Sequence, residues 1–471
     1  MCQFSKLNVL LIALIVALPI IAPAQEPDST DTKKTKKELR KEKREKRRAQ
    51  REKELKELEA ETAYYEEDFV DLETKIYDDK IKTLILHTTS SELQLPVINL
   101  NSDDQLVLRF DDLGENSRDM YYTFEHCSHD WEPSGLSKMD FIDGYNQDII
   151  NDFEFSFNTV HKYTNYKLEF PNSRVNLTRS GNYVIKVFTG GSEENVVLTA
   201  RFMIVEPLTN ISSDIKPSRV VSERDYRQEV DIEVNLQGLN VLNPYNDIEL
   251  AVMQNFRWDD VRTNLKPSFV KDNILVYDYQ GPITFDGTNE FRFFDAKSAR
   301  YRSEKVQDVV LKDNGYHVYL SPDVPRAFMN YSFEQDINGK YIVKNDDMIY
   351  PHLESDYFHI HFTMPVDAPL GTGDMYIFGQ VSNWKLKKEF RLDYNPEAMA
   401  YQKTIKLKQG LYNYMYLWQG KNQKKGSTDL TEGNHSNAEN EYMIFVYFKD
   451  RSLFYDRLVG YKKVSNYEEK N

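Results

Sequence analysis

The densest group of chemically capable side chains is His126-Cys127-Ser128-His129-Asp130-Trp131. Imidazole nitrogen and thiolate sulfur are zinc ligands, and a histidine beside a cysteine is also the pairing that activates a thiolate nucleophile. The residues leading into the group, Tyr121-Tyr122-Thr123-Phe124-Glu125, alternate as a strand does. On a strand, Tyr122, Phe124 and His126 share one face, while Thr123, Glu125 and Cys127 share the other. His126 and Cys127 therefore diverge, and a shared metal would need the strand to break between them. The ordinary reading makes Cys127 a small buried apolar residue and His126 a hydrogen-bonded core member. Trp131, ahead of Glu132-Pro133-Ser134, reads as a core plug on the loop that leaves the strand. A redox role for Cys127 would require an exposed thiol.

Other chemistry is thin. The run Asp140 to Asp152 (DFIDGYNQDIIND) is rich in carboxylates, but its glycine and acidic positions do not follow a calcium loop. A carboxylate pair for glycoside hydrolysis is available in any acidic chain, so a glycoside hydrolase stands last among the readings. The sequence has no glycine-rich phosphate loop, GxSxG elbow, HExxH or paired CxxC. No catalytic, cofactor-binding or metal-binding residue is expected.

The elements that would carry these side chains are short strands. Leu106-Val107-Leu108-Arg109-Phe110, Tyr166-Lys167-Leu168-Glu169-Phe170 and Tyr183-Val184-Ile185-Lys186-Val187-Phe188 are β-branched and aromatic runs. Asp112-Leu113-Gly114, Pro171-Asn172-Ser173 and Ser180-Gly181-Asn182 punctuate them as turns. No amphipathic helix of strand-connecting length intervenes, so the fold class is all-β: tandem immunoglobulin-like or early-set β-sandwiches after a charged helical segment. Pro207 and the run Asn210 to Pro217 mark a joint. The expected units are 70–206, 207–345 and 346–471, each the size of one sandwich. In the last unit, Asp374-Met375-Tyr376-Ile377-Phe378-Gly379-Gln380-Val381-Ser382-Asn383-Trp384 and Leu407 to Tyr414 resemble early-set folds found beside starch- and glycogen-binding modules. That resemblance implies Trp384 and Trp418 as a pair stacking on sugar rings, against the usual role of tryptophan in a sandwich core. It supplies an alternative function, a carbohydrate-binding envelope protein.

The N-terminus reads differently. Lys6, the apolar run Leu7 to Ile21 and Ala22-Pro23-Ala24 form a secretion signal over 1–24, with cleavage expected before Gln25. Residues 25–69 form a charged, partly helical tether. Its stretch 33–61 holds 14 Lys and Arg against 8 Glu, and reads as a solvated spacer or as a peripheral contact with a membrane or an acidic surface. The whole chain is acidic, 60 Lys and Arg against 75 Asp and Glu for a net charge of −15, which counts against nucleic-acid binding. Two cysteines exclude a disulfide scaffold, and removal of the leader with Cys2 leaves Cys127 alone.

An ordered series of motifs then becomes specific. It comprises Phe110-Asp111-Asp112-Leu113, Tyr121 through Trp131, Ser134-Gly135-Leu136, Phe141-Ile142-Asp143-Gly144-Tyr145, Ser156-Phe157-Asn158-Thr159, Tyr163-Thr164-Asn165-Tyr166, Phe170-Pro171-Asn172 and Ser180-Gly181-Asn182-Tyr183-Val184. Together they resemble the type IX secretion system plug protein family, most densely over 75–206. The resemblance implies a periplasmic, non-enzymatic protein without a cofactor, held at the outer membrane by its partner. That partner would be the outer-membrane translocon barrel, whose inner mouth the protein seals. The matching positions His126, Cys127, Asp130, Trp131, Ser134, Tyr166, Gly181 and Tyr183 are expected to be structural. His129 departs from the family pattern and receives no role.

Overall fold

The computed structural model describes residues 72–467 apart from Glu115 and Tyr279. The leader, the tether and the long helix expected within 33–61 lie outside the described residues. Within them, alternation yields strands, and the all-β reading holds. The described residues constitute one compact unit built around three layered cores.

The first core lies between two sheets. One runs Lys75–Ile76, Val196–Val205, Gly181–Thr189, Met120–Cys127, Gln147–Ile149, with Val97–Asn99 added parallel to Val196–Val205. The other runs Ile81–Thr88, Leu106–Asp112, Thr164–Phe170, Asp152–Phe155. Phe110, Tyr122, Phe124, Tyr166, Phe170 and Phe202 meet between them, each a member of an alternating run.

The second core is discontinuous in sequence. One of its sheets joins Asn210–Pro217, Arg227–Asn235, Ile274–Tyr277 and Phe269–Lys271. The facing sheet orders Arg262–Leu265, Ile248–Gln254, Glu441–Asp450 and Tyr455–Ser465, so its last two strands come from the end of the chain. The physical reason is visible in Ile248–Gln254 (IELAVMQ), which is buried along its whole length. Such a strand needs a neighbour on both edges, and Glu441–Asp450 supplies the second in full antiparallel register, Ile248 opposite Phe448 through Gln254 opposite Tyr442. A single cut near residue 345 therefore does not describe the pairing.

The third core is inserted between these halves. A nine-stranded sheet reaches from Arg292–Asp295 through Gly410–Gly420, Gly373–Phe378, Arg391–Asn395, Ala400–Lys408, Tyr357–Pro365 and Gly315–Leu320 to Val306–Lys312, with Tyr341–Val343 on Gly410–Gly420. It closes over Phe294, Phe358, Phe362, Ile377, Tyr412 and Tyr416. We refer to the three bodies as the first, second and third sandwich.

Candidate functional site

The motif residues of the first sandwich converge on its seam with the second. Met120–Cys127 pairs with Gly181–Thr189, placing His126 opposite Tyr183 and Cys127 opposite Asn182. Alternation separates the two candidate ligands as expected. His126 packs against the rings of Tyr183 (4.8 Å, perpendicular), Tyr455 (5.4 Å) and Phe141 (5.7 Å). Its Nε2–H donates to the Ser180 carbonyl at 3.0 Å, and Nδ1 has no partner among the described residues. Burial lowers the imidazole to about 4. Cys127 faces the other way, among Trp131, Val184, Met203, Met443 and Phe445, and burial pushes its thiol up to about 12. A neutral buried imidazole and a protonated buried thiol on opposite faces cannot act as a base–nucleophile pair. Among the described residues, no three His, Cys, Asp or Glu side chains converge as metal ligands.

The loop after Cys127 turns back on itself. Ser128 N donates to the Glu132 carbonyl at 2.8 Å, and Ser134 N to the His126 carbonyl at 3.0 Å. Asp130 is exposed and accepts from Glu132 N at 3.3 Å, while Ser134 Oγ accepts from Leu136 N at 3.3 Å. Trp131 sits at φ 69°, a left-handed backbone that swings its indole inward. There Trp131 meets Trp258 of the second sandwich edge-on at 5.0 Å, and the Arg201 guanidinium lies against both indoles, 4.1 Å from Trp131 and 5.2 Å from Trp258. Arg201 Nε also donates to the Leu72 carbonyl at 2.7 Å, and burial lowers the guanidinium to about 10. Gly181 must be glycine: its φ is +136°, and a Cβ would lie 2.7 Å from His126 Nε2. Tyr183 stacks on Phe202 and donates its hydroxyl to the Arg179 carbonyl. Tyr166 lies apart from the seam, stacked on Phe110 with its hydroxyl bonded to Arg118 backbone.

Three arrangements escaped sequence reasoning. His129 Nδ1 and backbone N both donate to Asp456 Oδ2, at 2.7 and 3.1 Å, across the same seam. Burial raises the Asp456 carboxyl, but the His129 bonds outweigh it and hold the group below its ordinary value. A second seam joins the first and third sandwiches through Asp111 and Lys408, 2.6 Å apart and both buried. Tyr357 donates its hydroxyl to the same Asp111 oxygen at 2.6 Å, and Asn165 Nδ2 donates to the other at 2.8 Å. Lys408 Nζ also reaches the His352 carbonyl and lies 4.0 Å over the Tyr163 ring. Burial lowers the Lys408 ammonium, with Asp111 opposing. Third, His359, His317, His361 and Tyr319 stack in a column on one face of the third sandwich. Thr404, His361, His317 and Asn314 are hydrogen-bonded in sequence there, which uses both nitrogens of His317 and His361.

Trp384 and Trp418 do not form a stacking pair for sugars. They are 6% and 7% exposed, and each faces its own core. Asn383 and Trp384 are both left-handed, at φ 55° and 56°, which turns the Trp384 indole in against Phe291 and Phe378. Trp418 packs edge-on to Tyr401.

With this geometry in hand, the comparisons are informative. Residues 81–206 match the family model described as "Type 9 secretion system plug protein 1st domain". The chain is also similar to a hypothetical protein from Parabacteroides merdae ATCC 43184, known from a crystal structure. The two are 32% identical with a TM-score of 0.81, over 84% of this chain and all of that one. No curated protein matches.

Proposed function

We infer, because this chain belongs to the type 9 secretion system plug protein family, that it is a non-enzymatic plug. It binds the periplasmic end of the outer-membrane translocon barrel and blocks it between export events. The family ties the chain to type IX secretion; the blocking role is our reading. The observation that carries it is the pair of seams. A body that seals a wide mouth must resist deformation, and buried polar and apolar contacts weld the first sandwich to both others. The candidate ligands and nucleophile are consumed inside that weld. Secretion through the leader and cleavage before Gln25 would place the protein in the periplasm, held at the outer membrane by its partner. An acidic body and a basic tether offer a partner surface both signs of charge.

The test is deletion of the gene, followed by uptake of bulky antibiotics and purification of the translocon from wild type. The plug reading expects increased uptake on deletion and recovery of this chain with the barrel. Unchanged permeability together with no recovery would overturn it. Mass spectrometry of the recovered chain should find Gln25 at its start, and an intact Met1 would refute the processing.

A further inference from the structure

We propose that the edge strand Asp152–Phe155 is a docking edge, taking an extended segment of a partner protein as an added β-strand. The segment would carry apolar residues on one face and basic residues on the other. Among the described residues Asp152–Phe155 ends its sheet, with Thr164–Phe170 as its one neighbour, and all four residues are exposed. Asp152 stands opposite Lys167 and Glu154 opposite Asn165, and Ser156 N donates to the Tyr163 carbonyl at 2.8 Å. In antiparallel pairing the bonded positions alternate, so Asp152, Glu154 and Ser156 bond inward. The backbone groups of Phe153 and Phe155 consequently point away from the sheet, and none of the described residues caps them.

Side chains give this edge a chemical preference. Phe153 and Phe155 lie on one face, 6.3 Å apart and 40% and 60% exposed. Phe157 N donates to the Leu353 carbonyl at 3.2 Å, so the open backbone edge ends at Phe155, while the apolar strip extends to the Phe157 ring, 6.1 Å from Tyr350, and to exposed Val160 and Ile349. Asp152 and Glu154 occupy the opposite face. Lys167 is 3.9 Å from Asp152 but 2.7 Å from Glu169, and Glu154 has no cation within pairing distance among the described residues. Arg109, opposite Lys167 on the next strand, adds to the field at Asp152, so Glu154 is the open carboxylate that calls for lysine or arginine on the incoming strand.

Other features favour a foreign strand over a second copy. Two copies joined with like faces aligned would set Asp152 against Glu154, carboxylate against carboxylate. An edge of a different sheet, Val306–Lys312 of the nine-stranded sheet, is blunted as edges usually are. It carries a register shift between Val306 and Asp308, an Arg302–Asp308 pair, and Lys312 bonded to Tyr319. Asp152–Phe155 has no bulge, proline or lysine.

The experiment uses the folded full-length chain and a fluorescent peptide of alternating valine and lysine, with a valine–glutamate peptide as its counterpart. Saturable binding of the lysine peptide is expected, about tenfold tighter than the glutamate peptide. Hydrogen exchange over 150–157 should slow in the complex. Phe155→Pro removes an outward N–H without disturbing the bonds to Thr164–Phe170, and should weaken binding by about tenfold. Glu154→Lys should reverse the peptide preference, which keeps the test decisive even if Phe155→Pro is unstable. Equal binding of both peptides, no saturation, or protection elsewhere would overturn the proposal. So would self-association in sedimentation that Phe155→Pro abolishes, since the occupant would then be a second copy.

Discussion

The first sandwich is welded to its two neighbours by opposite chemistry. Against the second it presents an apolar patch of Trp131, Cys127, Val184 and Met203 with a cation held on indole rings, and polar pairs such as His129–Asp456, Tyr447–Asn182 and Arg457–Glu206 flank that patch. Against the third it presents Asp111, whose oxygens are engaged by Lys408, Tyr357 and Asn165 out of contact with water. An apolar seam loses contact area when one side chain is trimmed, and its neighbours relax partway into the gap. A buried ionic seam has no such latitude, because each group depends on a specific partner for its solvation. The molecule is therefore tolerant on one side and brittle on the other.

The largest effect should come from breaking the ionic seam on one side only. Lys408→Met keeps the volume but strands the Asp111 carboxylate, and should cost about 3–5 kcal/mol in urea unfolding. Asp111→Asn combined with Lys408→Met removes both charges and should recover most of that loss. A single variant within about 1 kcal/mol of wild type would mean that water reaches the pair. In the aromatic seam, Trp131→Ala should cost about 3 kcal/mol, the lower end for deleting a buried indole, because Trp258 still covers one face of Arg201.

The difference between the seams also decided what was legible in the sequence. The opposed faces of His126 and Cys127 follow from a period of two along Met120–Cys127, and the structure keeps them. The all-β class follows from the same alternation together with turn punctuation. The ionic seam was invisible because Asp111 and Lys408 lie in different sandwiches, and neither residue signals a distant partner. His129 receives no role in the sequence because it departs from the family pattern, and nothing local signals its partner Asp456 on the final hairpin. The split second sandwich was hidden because Glu441–Asp450 reads like any buried strand, and only the doubly buried Ile248–Gln254 explains where it goes. Trp384 misled because its inward turn depends on two consecutive left-handed residues.

A pH series should sharpen the contrast. His126 is held near 4 by burial, below the ordinary 6.5, so the unfolded chain binds more protons between those values. Its contribution is present above about 6.5 and is lost as pH falls towards 4, on the order of 3 kcal/mol. Asp336 behaves oppositely. Burial, with Glu290 nearby, raises its carboxyl from 3.8 to about 7 while it accepts bonds from Phe291 N and Asn338 N. The folded form binds the extra proton, so this contribution is full below about 4 and lost as pH rises through 7. Hydrogen exchange corrected for intrinsic rates should show Met120–Cys127 opening more readily at pH 4.5 than at pH 7. The segment 321–340 should do the reverse, and Asp336→Asn should flatten the response of that segment alone. Parallel behaviour of both regions would refute the assignment.

The smallest effect is at Cys127, and it reads one seam without the other. Cys127→Ser places a hydroxyl among apolar side chains with little change in volume, and should cost about 1 kcal/mol in urea unfolding while leaving the fold intact. In a chain beginning at Gln25 this is the one thiol, buried at 0% exposure and held protonated by its surroundings. A thiol reagent should therefore react at the rate at which the aromatic seam opens. Trp131→Ala removes a direct neighbour and should accelerate labelling under native conditions. Lys408→Met, although at least as destabilising overall, loosens a different seam. If the seams open independently, it should leave native-state labelling at the wild-type rate until global unfolding begins. Equal acceleration by both variants would show that the three sandwiches open as one cooperative unit, and the tolerant and brittle sides would then be two faces of a single transition.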